Sequence, residues 1–291
     1  MKDAVIIGAG PAGLSAALYI LRAGFSVTVI GTDHSSLKMA EKIENYFGLE
    51  EPISGEALLE RGRNQVITLG GTFIEEEVVG IAWNGSFSTS TSNQTIDSKA
   101  IILATGAPRN KVKIPHLPEL EGKGVSYCAV CDAFFYRGKD VAVLGNGEYA
   151  LHEAQELLPM ASHVTILTNG LEPQVDFPKE MDVIPTPIRQ LNGDTSLKGV
   201  VFEDNTTLEI SGLFVALGTA NGSDLAKKLG LLLENDKIVV DDSMATALPG
   251  VFAAGDCIGG ILQVSTAVGE GAKAGISAIK FLREQKKKSL S

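Results

Sequence analysis

Three observations predict an α/β chain with two three-layer, Rossmann-like nucleotide-binding domains, the second inserted in the first. Two glycine turns, Gly8-Ala9-Gly10-Pro11-Ala12-Gly13 and Gly145-Asn146-Gly147-Glu148-Tyr149-Ala150, each follow a short apolar run and open a helical stretch. That context turns a weak glycine pattern into a strong one. The 291 residues suffice for two domains. Near the C-terminus, Val251–Ala254 ends in Gly255-Asp256. That strand and the helix after it need a sheet, and the first unit has room for them.

Taken in order, Ala4–Ile7 is a strand, Leu14–Ala23 an alanine-rich helix and Ser26–Ile30 a second, β-branched strand. This β-turn-α-β unit builds a parallel sheet. Ser54–Leu69 is expected as a helix with Ser54 at its N-cap. Val78–Thr91 is expected as a hairpin turning at Asn84-Gly85. Lys99–Leu103 is a buried strand stopping at Ala104-Thr105-Gly106. The second unit opens with strand Val141–Leu144, and its helix is stopped by Pro159. Strands Val164–Leu167, Gly199–Glu203, Thr207–Ile210 and Leu213–Ala216 follow, and a last helix runs from near Gln263 to about Glu284. The expected boundaries are residues 1–108 with 245–291 for the first domain and 109–244 for the insert.

Composition excludes several classes. Hydrophobic residues at 44% allow a packed core without disulfides. A formal charge of −10 argues against nucleic acid as the main partner. No apolar run reaches the roughly 18 residues of a membrane helix, and Met1-Lys2-Asp3 leads straight into a strand rather than a signal peptide. A cytoplasmic location without membrane contact is the expectation.

In the first turn, Gly8 permits the sharp bend, Gly10 lets backbone approach a pyrophosphate, and Gly13 lets the helix pack on the strand. A carboxylate ordinarily closes the second strand to bind ribose hydroxyls. Here Gly31 stands there and Asp33 comes two residues later, either as that ligand or as an ordinary turn aspartate.

Tyr127-Cys128-Ala129-Val130-Cys131-Asp132 carries redox chemistry. Cysteines three apart close a small disulfide ring or release two thiols. A metal would need two further ligands, and there is no second C-x-x-C. A pair of inert buried thiols is the bland alternative. Asp132 can exchange a proton with a departing thiolate if burial raises its pKa, or simply favour a helix start. Cys257, beside Asp256, is expected to be small core filler.

The order Gly8-Ala9-Gly10-Pro11-Ala12-Gly13, Ala104-Thr105-Gly106, Cys128-x-x-Cys131-Asp132 and Gly255-Asp256 resembles the low-molecular-weight thioredoxin reductases along the whole chain. The resemblance implies FAD in the first domain, the dithiol in the second, a homodimer, and thioredoxin as substrate. It implies that Cys131 lies nearest the flavin, that Cys128 forms the mixed disulfide with thioredoxin, and that Asp132 donates the proton. It also assigns Asn45, Asp256 and Gln263 to the flavin site.

The second turn departs from that family. There the strand matching Val164–Leu167 ends in His-Arg-Arg, with a further Arg beyond, and these hold the NADPH 2′-phosphate. Here Thr168-Asn169-Gly170 follows, and no Lys or Arg appears before Lys179. Glu148 places a carboxylate in the phosphate turn itself, and Pro173, Pro178 and Pro185 oppose a crossover helix. Leu262 also stands before Gln263, where nicotinamide-using relatives place an arginine. The pattern resembles the ferredoxin-dependent flavin thioredoxin reductases, which implies single electrons from a reduced ferredoxin. An NADPH enzyme with an atypical pocket, or a flavin dithiol oxidase using oxygen, are the alternatives. Because the chain is acidic overall, an acidic ferredoxin needs a local basic patch. Arg109, Lys111, Lys113, Lys123, Arg137 and Lys139 are the candidates, with Arg283 and Lys286–Lys288 second.

Overall fold

A computed structural model of the protein describes residues 1–32, 35–106, 113–218 and 220–288. Asp33, Arg109 and Lys111 lie outside the described residues. The chain divides into two compact units.

The first unit begins with β1 (Lys2–Ile7), α1 (Pro11–Arg22) and β2 (Val27–Ile30). Proline is well placed at the first position of α1, where its missing N–H has no helical partner to lose. Next come α2 (Gly55–Thr68), β3 (Thr72–Ile74), β4 (Val78–Trp83), β5 (Phe87–Thr91) and β6 (Thr95–Leu103). Ser54 caps α2 by accepting from the Ala57 amide at 3.2 Å. The hairpin β4–β5 turns at Asn84-Gly85, where Gly85 has φ +80°.

The second unit holds β7 (Val125–Ser126), α3 (Ala129–Asp132), β8 (Asp140–Leu144), α4 (Glu148–Leu157) and β9 (His163–Leu167). It continues with β10 (Asp182–Ile184), β11 (Ile188–Asn192), β12 (Gly199–Phe202), β13 (Thr207–Glu209) and β14 (Gly212–Val215). The parallel sheet β10-β9-β8-β14-β7 is its centre, with a small antiparallel sheet β11-β12-β13. Successive residues of β8 alternate between two cores. Ala142 and Leu144 pack with Val125, Leu213 and Val215 on one face, while Val141 and Val143 pack with Tyr149, Ala154 and Phe214 on the other. Between β9 and β10 there is no helix, as the prolines predict.

The chain returns to the first unit at Asn221, with α5 (Gly222–Lys228), β15 (Leu233–Glu234), β16 (Lys237–Ile238), β17 (Val251–Ala253) and α6 (Val264–Lys288). The sequence placed residues 221–244 in the insert; they pack instead with the first unit. The reason is tertiary. Gly222 sits against Thr105 and Cys257, and the Lys228 amine donates to the Val79 carbonyl at 3.0 Å. None of these contacts has a periodic signature.

The seven-stranded sheet of the first unit runs β3-β2-β1-β6-β5-β4, with β17 also on β6. β6 is longer than predicted because it serves three partners, β1 along one edge and β5 then β17 along the other. Its first half pairs antiparallel with β5, and Ile101–Leu103 pair parallel with β17. Helix α6 packs on α1 through glycines. A side chain at Gly271 would overlap the Ala12 carbonyl oxygen, and one at Gly275 would reach within 2.9 Å of that of Ala16.

Candidate active site

In the first unit, backbone crowding explains the glycine turn. A side chain at Gly8, where φ is +114°, would overlap the Ala104 carbonyl, and one at Gly13 would overlap that of Gly8. At Gly10 nothing lies within 4 Å of the place a Cβ would take. Gly255, at φ +80°, brings its motif against the turn: a Cβ there would lie 3.0 Å from that of Ala12. So Gly8, Pro11, Ala12, Gly13, Ala104 and Gly255 gather around the N-terminus of α1.

The open face above Gly10 and the free first-turn amides of α1 fit the diphosphate of FAD. A cleft of about 320 Å³ adjoins it on the β2 side, lined in part by Ala9, Gly31, Thr32, Lys38 and Arg63. The described residues therefore accommodate the dinucleotide that the resemblance implies. Asn45 and Gln263, 218 positions apart, meet: the Asn45 amide donates to Gln263 Oε1 at 3.0 Å. The Asp256 carbonyl accepts from the Lys237 amine at 2.8 Å. The Gly255 amide donates to Glu270 at 2.9 Å. Burial pushes the Glu270 carboxyl up, and the neighbouring charge of Asp256 adds to the shift. Cys257 is filler in its contacts. It is buried, its thiol donates to the Leu103 and Ala254 carbonyls at 3.4 and 3.3 Å, and burial pushes its pKa up to about 11.

In the second unit, Cys128 and Cys131 close a disulfide. Cys128 is the N-cap of α3, and its sulfur accepts from the Cys131 amide at 3.2 Å. Cys128 is buried at 4% exposure, whereas Cys131 is exposed. The sulfur that the resemblance aims at thioredoxin is thus the covered one in this arrangement. Ser126, which sequence reasoning missed, links the pair to Asp132. Its hydroxyl donates to Asp132 Oδ2 at 2.7 Å and accepts from the Cys128 amide at 3.1 Å. Burial and then the Asp132 charge push the Tyr136 phenol up. Also missed was Glu153, whose carboxylate accepts from the Ala129 amide at 2.6 Å. A signal for it existed: Glu153 falls with Tyr149, Ala150, Ala154 and Leu157 on the buried face of α4.

The second glycine turn repeats the crowding of the first, since a Cβ at Gly145 would overlap the Ala216 carbonyl. Its second glycine differs. The place of a Cβ at Gly147 lies 3.2 Å from the side-chain oxygen of Gln174. Asn146 ties that covering segment down. Its amide donates to the Glu172 carbonyl at 2.8 Å, and its carbonyl accepts from the Gln174 amide at 2.7 Å. At the end of β9, Thr168 is buried, and Asn169, at φ 51°, turns its side chain inward to accept from the Ile188 amide at 2.7 Å. Glu148 occupies the first turn of α4.

Residues 2–271 match the family model for pyridine nucleotide-disulphide oxidoreductases. The chain is 35% identical to the thioredoxin reductase of Aquifex aeolicus, over 98% of this chain and 94% of that protein. Among solved structures, an atypical thioredoxin reductase from Desulfovibrio vulgaris Hildenborough is 42% identical with a TM-score of 0.93, covering 98% of this chain and 99% of its own. A ferredoxin-flavin thioredoxin reductase from Clostridium acetobutylicum is 32% identical with a TM-score of 0.75, covering 97% and 98%. The chain belongs to the pyridine nucleotide-disulphide oxidoreductases, in the thioredoxin reductase group of FAD-binding flavoproteins.

Proposed function

We propose that this thioredoxin reductase draws its electrons from a reduced ferredoxin rather than from NADPH. One observation carries the reading: Gln174, held through Asn146, covers Gly147 at the point where a dinucleotide phosphate must approach its turn. The strand end supports it, because Asn169 spends its side chain on Ile188 and offers no cation to a 2′-phosphate. The Clostridium acetobutylicum relative is, by its description, a ferredoxin-flavin enzyme.

FAD, when bound, supplies a two-electron store that exchanges with the disulfide. The chain's own residues do the rest. Gly8, Gly10, Pro11, Ala12, Gly13, Ala104, Thr105, Gly106, Gly255 and Asp256 would hold the dinucleotide, with Asn45 and Gln263 assigned by the resemblance and Asp33 the candidate ribose ligand after the second strand. Once the disulfide is reduced, the Cys128 thiolate attacks the disulfide of thioredoxin. A mixed disulfide forms and one thioredoxin thiolate leaves, taking a proton from Asp132. Cys131 then attacks Cys128 Sγ, restoring the Cys128–Cys131 disulfide and releasing the second thioredoxin thiolate. Because Cys128 is buried, its segment must open before thioredoxin can be attacked. The working unit is a homodimer in the cytoplasm; among the described residues no helix is long and apolar enough to cross a membrane.

The test is anaerobic thioredoxin reduction with NADPH and reduced ferredoxin compared side by side. Ferredoxin should support turnover. NADPH should not, since each missing charge-assisted hydrogen bond is worth about 1.5–3 kcal/mol, and two or three cost several orders of magnitude in affinity. Rapid turnover with micromolar NADPH overturns the reading. Turnover with oxygen alone as electron acceptor for a small dithiol moves the dithiol-oxidase reading first.

A further inference from the structure

Two side chains of α4, four positions apart and so on one face of the helix, reach the backbone on either side of Cys128. The Tyr149 hydroxyl donates to the Tyr127 carbonyl at 3.3 Å, and Glu153 Oε2 accepts from the Ala129 amide at 2.6 Å. Both are fully inside the unit, Tyr149 at 0% and Glu153 at 1% exposure. A buried carboxylate is costly unless it is matched, and this one is aimed at the amide next to a redox sulfur.

We infer that Glu153 is a positioning residue that sets the redox poise of the dithiol. In its ionised form the carboxylate held beside Ala129 opposes a second negative charge on the Cys128 sulfur, and so lowers the share of reduced Cys128 that is the attacking thiolate. A dithiol whose thiolate is not stabilised is the stronger reductant, because a stabilised reduced form is what makes such a pair oxidising. Tyr149 supplies the neutral half of the grip. Titratable groups around the pair include Asp132, which reaches the Cys128 amide through Ser126, Tyr136 beside Asp132, and Tyr127, whose hydroxyl donates to Glu121. Opposing them, the Cys131 amide donates to Cys128 Sγ and favours a thiolate. The inference rests on the dithiol role proposed above, which loss of thioredoxin reduction in Cys128→Ser tests separately.

The experiment titrates the ultraviolet thiolate absorbance of Cys128 in the FAD-loaded Cys131→Ser protein, with the Cys128→Ser/Cys131→Ser protein as blank. The Cys128 midpoint should lie above the ordinary thiol value of about 8.5. Adding Glu153→Gln keeps an oxygen for the Ala129 amide but removes the charge. It should raise the thiolate fraction at pH 7 about tenfold, a shift of about one pKa unit. In the chain with both cysteines, the same change should move the equilibrium with thioredoxin toward oxidised thioredoxin. Tyr149→Phe, which keeps the charge, should leave the titration in place. A Glu153→Gln curve superimposed on its parent overturns the inference, as does a Tyr149→Phe curve shifted equally. Should Glu153→Gln not fold, the parent alone decides, since a Cys128 midpoint below the ordinary value is incompatible with the inference.

Discussion

At Gly8 and again at Gly145, a side chain would run into the carbonyl that ends a neighbouring parallel strand, Ala104 in one unit and Ala216 in the other. These first glycines are required by the fold itself, whatever the turn binds. The second glycines part company. Gly10 opens on free space, whereas a Cβ at Gly147 would lie 3.2 Å from the Gln174 side-chain oxygen. A retained glycine spacing thus reports strand–turn–helix packing, and only the surface above the second glycine reports whether a phosphate can approach. The same divergence extends down the following helices. α1 begins with Pro11 and no carboxylate in its first turn, and α4 begins with Glu148.

The largest effects should separate the two units. Cys128→Ser and Cys131→Ser should each cut thioredoxin reduction to below about a thousandth of wild type while FAD stays bound at full stoichiometry. Flavin loss in either variant would contradict the assignment of cofactor and dithiol to different units.

Gly10→Glu tests the open face. Its backbone, at φ −81° and ψ −177°, is extended and suits any residue. The protein should therefore fold, but FAD affinity should fall by about a hundredfold or more, roughly 3 kcal/mol, through clash and repulsion of the diphosphate. Normal flavin content after purification would place the cofactor elsewhere.

If the second turn is closed, electrons must arrive over another surface. Lys113, Lys123, Arg137 and Lys139 are exposed members of the proposed basic patch. The Arg137 guanidinium lies over the Phe134 ring at 5.5 Å, and the Lys139 amine over the Tyr136 ring at 5.8 Å. Reversing Lys113 and Lys139 to Glu should slow ferredoxin-driven reduction about three- to tenfold at low salt, with the difference fading as salt rises. Thioredoxin reduction by chemically reduced enzyme should keep its rate. An unchanged ferredoxin rate removes the patch from consideration.

Gly147→Ala should do little. A methyl there needs the Gln174 side-chain oxygen to shift by only a few tenths of an ångström, far less than a phosphate would, so stability and ferredoxin-driven turnover should stay within about 0.5 kcal/mol of wild type. A large loss of turnover would mean that the second turn is used after all.

The smallest effect concerns Glu270, against the Gly255 amide. Burial and the Asp256 charge raise its carboxyl above the ordinary range. A raised folded-state value gives stability that is present below the ordinary carboxylate range and is lost as pH rises through the folded value. Glu270→Gln should therefore raise the Tm at pH 7 by only about 1–2 °C, solvent screening keeping it small. The gain should vanish as pH falls to about 4. A pH-independent change would assign the effect to packing instead.

Local patterns in the sequence determined both glycine turns, the capped helix at Ser54, the hairpin at Asn84-Gly85, the missing crossover helix after β9 and the dithiol itself. Each is written in neighbouring residues, as periodicity, a turn pair, prolines or a fixed cysteine spacing. The tertiary structure alone decided that the chain returns to the first unit at Asn221, through Gly222 against Thr105 and Cys257. It also paired Asn45 with Gln263, laid Gln174 over Gly147, and set Ser126 and Glu153 about the Cys128 backbone. A side-chain hydrogen bond across 24 or 218 positions obeys no period. It depends on where folding happens to bring an acceptor, and a lone Glu on a buried helical face is the most that the sequence can disclose of it.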